Sequence, residues 1–435
     1  MSIFQELIDH KKKISVTGLG YVGLPLAIAL SEHFQVIGYD RDAQRVELMK
    51  SGIDPSSQID FDILKDSDIY FTDKADKLDA AHFHIIAVPT DVNESKEPDL
   101  SDLIAATQDI SMSIKSGDYV IYESTVYPGC TEELCLPIIL SNSNLLLNQE
   151  DDRSGFSLGY SPERVNPGDK VRGLKDVKKI VSGHNDFALD EVAKVYGKII
   201  QAGIYKASSI KVAEAAKVVE NTQRDLNISL VNELAIIFDK LGIETSEVLD
   251  AASSKWNFHD YRPGLVGGHC ISIDPFYLLF KSKQVGHSPE VIAAGRSVNE
   301  YIPRFIAEKL IQHLGILGKS PATSKVLILG TTFKKNIPDI RNSKVFDLIA
   351  ELETKGIHIE ISDPIASSEE IKKHYGYTLI DQRESDYDAV IIAVAHDLYK
   401  KMDVEEIKSL GRADLILFDL KSLFSSSEFD HYWSL

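Results

Sequence analysis

The chain has 435 residues, a formal net charge of −19 and three cysteines. That length predicts two or three domains, the charge argues against a nucleic-acid partner, and three thiols are too few for a disulfide framework. No segment approaches the ~18 apolar residues of a membrane span. The N-terminal MSIFQELIDHKKK lacks the apolar run of a signal peptide, so the expected location is cytoplasmic. An anionic substrate would require such an acidic chain to gather a local basic patch.

In chain order, KISVTG (13–18) reads as a buried strand, and GLGYVGLPLAIALSEH follows with helical periodicity and a proline in its first turn. QVIGYD (35–40), HIIAVPT (84–90), YVIYEST (119–125) and FSLGYS (156–161) are further β segments with helical stretches between several of them. Such alternation predicts βαβ units around a parallel sheet. From Ser208 to Gly242 no proline or internal glycine occurs. One helix of about 35 residues, ~50 Å long, is expected, capped by Ser208 or Ser209 and ended by Gly242. It is apolar on most faces, which predicts burial between domains or subunits. Helical stretches continue through Ala252 and from Pro289 to Leu317, interrupted by the loop WNFHDYRPGLVGGHC. GKSPATS (318–324) reads as a linker, after which KVLILG, IHIEIS, YDAVIIAVA and DLILFDL restore βα alternation. The predicted fold class is α/β, with two Rossmann-like parallel-sheet domains, 1–207 and 318–435, flanking a helical middle, 208–317.

Gly18, Gly20 and Gly23 form G-x-G-x-x-G after a strand and at a helix start, where backbone N–H groups can approach a pyrophosphate. Asp40 ends the next strand, placed to accept hydrogen bonds from an adenosine ribose and to repel a 2′-phosphate, which favours NAD. Arg41 and Arg45 pull the other way, since an arginine can hold that phosphate. A glycine-rich turn with no ligand is the alternative. It loses weight because strand, helix and acid are all in register.

Lys217, Asn221 and Arg224 share one face of the long helix, among Ala215, Ala216, Val218 and Val219. A desolvated lysine there suits proton transfer with a hydroxyl. A solvated cationic stripe is the other reading, and spacing leaves both open. Cys270, in PGLVGGHCISIDP, is open to three readings: packing, metal ligand or nucleophile. Against a metal, His269 is its only near partner and no paired spacing such as C-x-x-C occurs. Local sequence leaves packing and nucleophile standing. A nicotinamide site, a desolvated lysine and an accessible thiol together suit one chemistry, oxidation of an alcohol through an aldehyde and a thioester to a carboxylate.

GLGYVGLP, ESTVYPG, YSPERVNPGD, AEAAKVVENTQRDLNISLVNE, GGHCISIDP and FKKNIPDIRNS resemble, in order, motifs of the UDP-glucose/GDP-mannose dehydrogenase family. That resemblance implies NAD-dependent four-electron oxidation of the C6 hydroxymethyl of a nucleotide sugar. It implies an NAD-binding first domain, a central dimerisation helix and a C-terminal UDP-sugar-binding domain. It makes Cys270 the nucleophile, Lys217 the catalytic lysine and Asp274 its support, with Asn221, Thr125 and Glu163 as further catalytic positions. Gly18, Gly20, Tyr21, Val22, Gly23, Asp40, Arg45, Pro89, Thr90, Thr125 and Arg341 resemble cofactor contacts. Arg164, Val165, Lys217, Asn221, Arg224, Arg262, Gly267, Phe333 and Lys334 resemble contacts to the UDP-sugar, and no metal is implied.

Two departures, Ile271 where UDP-glucose members carry an aromatic and Pro167 where they often carry an acid, fit the UDP-N-acetylhexosamine branch, of the Vi-type capsule kind. The expected substrate is UDP-N-acetylglucosamine, with the galactosamine and mannosamine epimers as alternatives. A two-electron hydroxy-acid dehydrogenase would need no thiol. A non-catalytic NAD-sensing protein is the reading from another class.

Overall fold

The apolar runs ISVT, VIGY, FHII, YVIY and SLGY of the N-terminal half become strands buried at every residue, as expected when a sheet is covered on both faces. The strands in chain order are β1 (Ile14–Thr17), β2 (Val36–Tyr39), β3 (Ile69–Thr72) and β4 (Phe83–Ile86), then a hairpin of two short strands, β5 (Asp91–Val92) and β6 (Pro98–Asp99). β7 (Tyr119–Tyr122), β8 (Ser157–Tyr160), β9 (Lys179–Gly183) and β10 (Ile204–Lys206) complete the set. The computed structural model describes residues 2–56, 59–149, 154–165 and 172–435. Pro167 lies outside them.

The chain divides into two compact units, residues 1–220 with 276–287, and residues 221–275 with 288–435. In the first, eight strands form one sheet in the order β10-β9-β8-β7-β4-β1-β2-β3. From β3 to β8 every pair is parallel, and β9 runs antiparallel to β8. The order reverses between β1 and β4. In doubly wound sheets such a reversal opens a crevice at the carboxyl ends of the strands. Val16, Leu30, Phe83, Ile121 and Tyr196 are among the fully buried core side chains. Each large apolar side chain so buried contributes roughly 1.5–3 kcal/mol.

The second unit carries β11 (Lys325–Leu329), β12 (His358–Ser362), β13 (Tyr387–Ile392), β14 (Gly411–Asp419) and β15 (Tyr432–Ser434). All pairs are parallel in the order β12-β11-β13-β14-β15, so this sheet reverses between β11 and β13.

The long helix spans Ile210–Leu241, 32 residues. Ser209 Oγ accepts the N–H of Val212 at its start, and Gly242 takes φ +69° at its end, as its sequence predicts. A helix over Asp274–Gln284 is not among the elements read from the sequence. Proline at the second helical position costs nothing there, because its missing N–H has no intrahelical partner. No helix among the described residues is long and apolar enough to cross a membrane.

Candidate functional site

In the first unit the expected residues sit where strands end. Gly18–Gly23 follow β1, Asp40 and Arg45 follow β2, Pro89 and Thr90 follow β4, Thr125 follows β7, and Glu163–Val165 follow β8. One rim of one sheet therefore collects segments spread over some 150 residues of chain.

Gly18 turns the loop with φ +88°, and a Cβ there would lie 2.8 Å from the Ala87 carbonyl oxygen. A Cβ on Gly23 would lie 1.8 Å from the Gly18 carbonyl oxygen, so the helix Gly23–Ser31 starts against the turn. A Cβ on Gly20, by contrast, would meet nothing within 4 Å. Packing therefore does not explain that glycine, whereas close approach of a ligand does. Val22 caps the helix with no side-chain hydrogen bond, and the Leu24 N–H turns back onto the Gly20 carbonyl at 3.1 Å. Tyr21 is exposed at this turn.

Asp40 fixes the loop. Its Oδ2 accepts the N–H of Leu19 at 2.9 Å and its Oδ1 accepts that of Asp42 at 3.0 Å. The sequence left Arg41 and Arg45 as competitors for a 2′-phosphate. Arg41 is turned away onto Asp109 at 2.8 Å and the Ala105 carbonyl at 2.9 Å. Arg45 donates to the Leu19 carbonyl at 2.9 Å, its Nε 4.0 Å from Asp40. These residues suit NAD. Glycines 18, 20 and 23 and the helix start would take its pyrophosphate, and Asp40 its ribose.

Glu163 Oε1 accepts the N–H groups of Arg164, at 2.7 Å, and of Val165, so its carboxylate is oriented by its own chain. Arg164 donates to the Lys178 carbonyl at 2.8 Å and pairs with Glu220 of the long helix at 2.7 Å. Lys217, one turn earlier on that helix, is only 7 % exposed, which removes the solvated-stripe reading for it. Glu214, a turn before Lys217, is fully buried and accepts the N–H groups of Gly129 at 2.5 Å and Thr131 at 2.9 Å. Burial pushes its carboxyl up to about 7, although those hydrogen bonds pull it down. Glu214 thus ties the long helix to the segment after Thr125, a role that spacing did not suggest.

In the second unit, Cys270 is half-buried, and its carbonyl accepts the N–H of Asp274 at 2.9 Å. The thiol therefore stands one turn before the helix Asp274–Gln284, where amide dipoles favour a thiolate. Asn221 Nδ2 donates to Asp274 Oδ2 at 2.6 Å, and both are buried. The glycines before Cys270 fit a close docking. Gly268 has φ +88°, and a Cβ on it would lie 2.7 Å from the Phe333 ring. A Cβ on Gly267 would lie 2.4 Å from the Asn342 carbonyl oxygen. Asn342 Nδ2 donates to the Gly268 carbonyl at 3.0 Å and to Ser272 Oγ at 2.8 Å. Upstream, Asn232 of the long helix clamps Gly264, accepting its N–H at 2.8 Å and donating to its carbonyl at 3.1 Å. The cysteine loop is thus fixed at both ends.

Beside it lies a cavity of roughly 290 Å³ at the β11/β13 reversal, lined by Gly267, Phe333, Lys334, Lys335, Lys344 and Lys421 among others. Lys335, Lys344 and Lys421 were not singled out from sequence, although Lys335 and Lys421 lie just past strand ends on the rim where α/β sheets bind ligands. Of the expected cations only Lys334 lines this cavity. Arg224 is exposed. Arg262 pairs with Asp250 at 2.6 Å and Asp260 at 2.7 Å, and Arg341 with Asp339 at 2.8 Å. Among the described residues no three His, Cys, Asp or Glu side chains gather as a metal-binding group.

Comparison with known proteins matches three stretches of the chain to one family. Residues 12–200 match the NAD binding domain of the UDP-glucose/GDP-mannose dehydrogenase family, 211–301 its central domain and 327–426 its UDP binding domain. The chain is 47% identical over 420 residues to a Salmonella typhi UDP-N-acetyl-D-glucosamine 6-dehydrogenase, covering 96% of this chain and 98% of that one. It is 46% identical to the Staphylococcus aureus protein CapL over 96% of this chain and 97% of that one. A Pyrococcus horikoshii UDP-D-ManNAc dehydrogenase structure superposes with a TM-score of 0.87 at 27% identity, over 97% of this chain and 98% of that one. With its glycine loop, its docked cysteine and its second lysine-lined crevice, this chain belongs to the UDP-glucose/GDP-mannose dehydrogenase family and is an NAD-dependent oxidoreductase.

Proposed function

We propose that the chain oxidises the C6 hydroxymethyl of UDP-N-acetylglucosamine to a carboxylate, releasing UDP-N-acetylglucosaminuronate. The observation that carries this reading is the cysteine loop: a half-exposed thiol, held at a helix start, beside a lysine-lined cavity in the unit that matches a UDP binding domain. The identity of 47% to a UDP-N-acetyl-D-glucosamine 6-dehydrogenase, over nearly the whole chain, supports that sugar over its epimers.

NAD, when bound, supplies the hydride acceptor for both oxidations. Lys217 takes up the proton of the C6 hydroxyl as the aldehyde forms, and its ammonium steadies the oxyanions that follow. The Cys270 thiolate adds to the aldehyde carbon, and the resulting hemithioacetal loses the second hydride to leave a thioester. Water, deprotonated as it attacks, displaces the thiolate and gives the acid. Asp274, held by Asn221, orients that water, with Thr125 and Glu163 assisting proton transfer. Arg164, Arg224 and Arg262 are held in reserve as substrate cations.

A homodimer is part of the proposal. Val212, Val219, Leu230, Ile237 and Leu241 leave apolar surface exposed along the long helix, a stripe that a second copy would cover. The three-domain division and a cytoplasmic location follow from the same reading, the latter supported by three cysteines that form no disulfide.

The test is NADH formation measured side by side on UDP-glucose, UDP-N-acetylglucosamine, UDP-N-acetylgalactosamine and UDP-N-acetylmannosamine. Highest kcat/KM on UDP-N-acetylglucosamine is expected. Preference for another member of the set would reassign the substrate, and no NADH with any of them would leave the NAD-sensing reading in its place.

A further inference from the structure

Lys334 and Lys335 stand on the loop after β11, and the cavity needs them held outward. No helix supports this loop, since the next one begins only at Lys344. Something else must fix it. At its start Asp363, just past β12, accepts the N–H of Thr331 at 2.6 Å. At its end the N–H of Asn336 donates to His396 Nδ1 at 2.9 Å. Because Nδ1 accepts, the ring carries its proton on Nε2, which faces Thr332 Oγ1 at 3.2 Å and Asp363 Oδ2 at 3.3 Å. Thr332 Oγ1 in turn donates to the Lys334 carbonyl at 2.9 Å. His396 is 1 % exposed and does not line the cavity, so it has no access to ligand. Outside it, Asn336, at φ +59°, is latched to Asp397 by two hydrogen bonds of 2.7 and 3.1 Å.

One imidazole therefore joins both ends of the loop and its middle, while the residues between its pins line the cavity. A loop fixed before binding spends less affinity on ordering its lysines. We propose that His396 is a positioning residue for nucleotide binding: through Asn336, Thr332 and Asp363 it sets the loop that presents Lys334 and Lys335 to the diphosphate of the substrate. The inference rests on the reading above that this cavity takes the nucleotide.

The test uses the full chain, with UDP alone as the probe of the second unit and NAD as the probe of the first. His396→Phe keeps a flat ring but removes the hydrogen bonds at both ring nitrogens. UDP affinity should fall about tenfold, near the worth of one or two lost hydrogen bonds. KM for the UDP-sugar should rise by a similar factor, with kcat and NAD affinity within about threefold of wild type. His396→Asn, whose Oδ1 replaces Nδ1 as acceptor for Asn336, should restore most of the loss. Wild-type UDP affinity in His396→Phe, or equal loss in His396→Asn, would overturn the positioning role. If His396→Phe does not fold, Asp397→Ala decides. It removes the 2.7 Å side-chain half of the outer latch at an exposed site, and a rise in KM of about threefold without change in kcat supports the role, while no rise contradicts it. Failure of the wild-type chain to bind UDP would instead overturn the reading of the cavity itself.

Discussion

The two sheet reversals begin alike and then part. GLGYVG at 18–23 and GTTFKK at 330–335 both follow the first strand of their sheet. Gly18 and Gly330 take φ +88° and +90°. Each donates its N–H, at 2.9 Å, to a carbonyl at the end of the neighbouring strand, Tyr39 or Ser362. In each the next N–H goes to an aspartate just past that strand, Leu19 to Asp40 and Thr331 to Asp363. Beyond this point Gly20 and Gly23 open the first loop onto a helix start, whereas Thr332 and Lys335 occupy those places in the second. On the proposed reading, one scaffold serves two anions by different means, backbone amides in one unit and side-chain ammonium groups in the other.

That contrast can be broken from either side. The largest effect is expected for Gly23→Val, whose Cβ collides with the Gly18 carbonyl. NAD affinity should fall more than about a hundredfold while UDP affinity holds, read by calorimetry with each nucleotide. Loss of both would deny the units their separate ligands. Next, Lys334→Ala combined with Lys421→Ala should weaken UDP binding by roughly ten- to a hundredfold and flatten its salt dependence, leaving NAD untouched. An unchanged salt slope would move the phosphates elsewhere. Lys217→Ala should lower turnover about a hundredfold or more with little change in NAD affinity. Near-normal turnover would return it to a structural role.

The smallest effects concern stability, where two buried carboxylates differ in sign. Asp363 is raised by burial but pulled down further, to about 2, by His396 and the N–H groups of Thr331, Ile365 and Ala366. Its contribution is present above the ordinary carboxyl range and is lost as pH falls towards 2. Glu214, with burial outweighing its backbone bonds, reaches about 7. Its relative stabilisation is present below about 4.5 and lost as pH rises through 7, worth roughly 3 kcal/mol at most. Glu214→Gln should therefore gain on wild type in thermal melts between pH 5 and 8, and Asp363→Asn should lose most at neutral pH. Parallel pH profiles for variant and wild type would refute the assignment.

The strands that could be read were those with unbroken apolar runs. β9 was missed because KIVSG opens with a lysine and ends with a glycine. Lys179 is nonetheless buried, its charge met by Glu123 at 2.7 Å, with the Tyr196 ring 5.3 Å away. The antiparallel turn of β9 leaves no local mark in sequence. The glycine loop was legible because phosphate binding by backbone needs fixed spacing. The second crevice was not, because its lysines come from three separate places along the chain and any one of them alone resembles a surface cation. Arg262, expected as a substrate cation, pairs here with Asp250 and Asp260, neighbours that periodicity could not match to it.

The central claim is that one thiol carries the substrate between two oxidations, and stoichiometry tests it most directly. With UDP-N-acetylglucosamine limiting, two NADH should form per sugar nucleotide consumed, and Cys270→Ala should yield no carboxylate while still binding NAD. One NADH per sugar, or full acid production without the thiol, would contradict it.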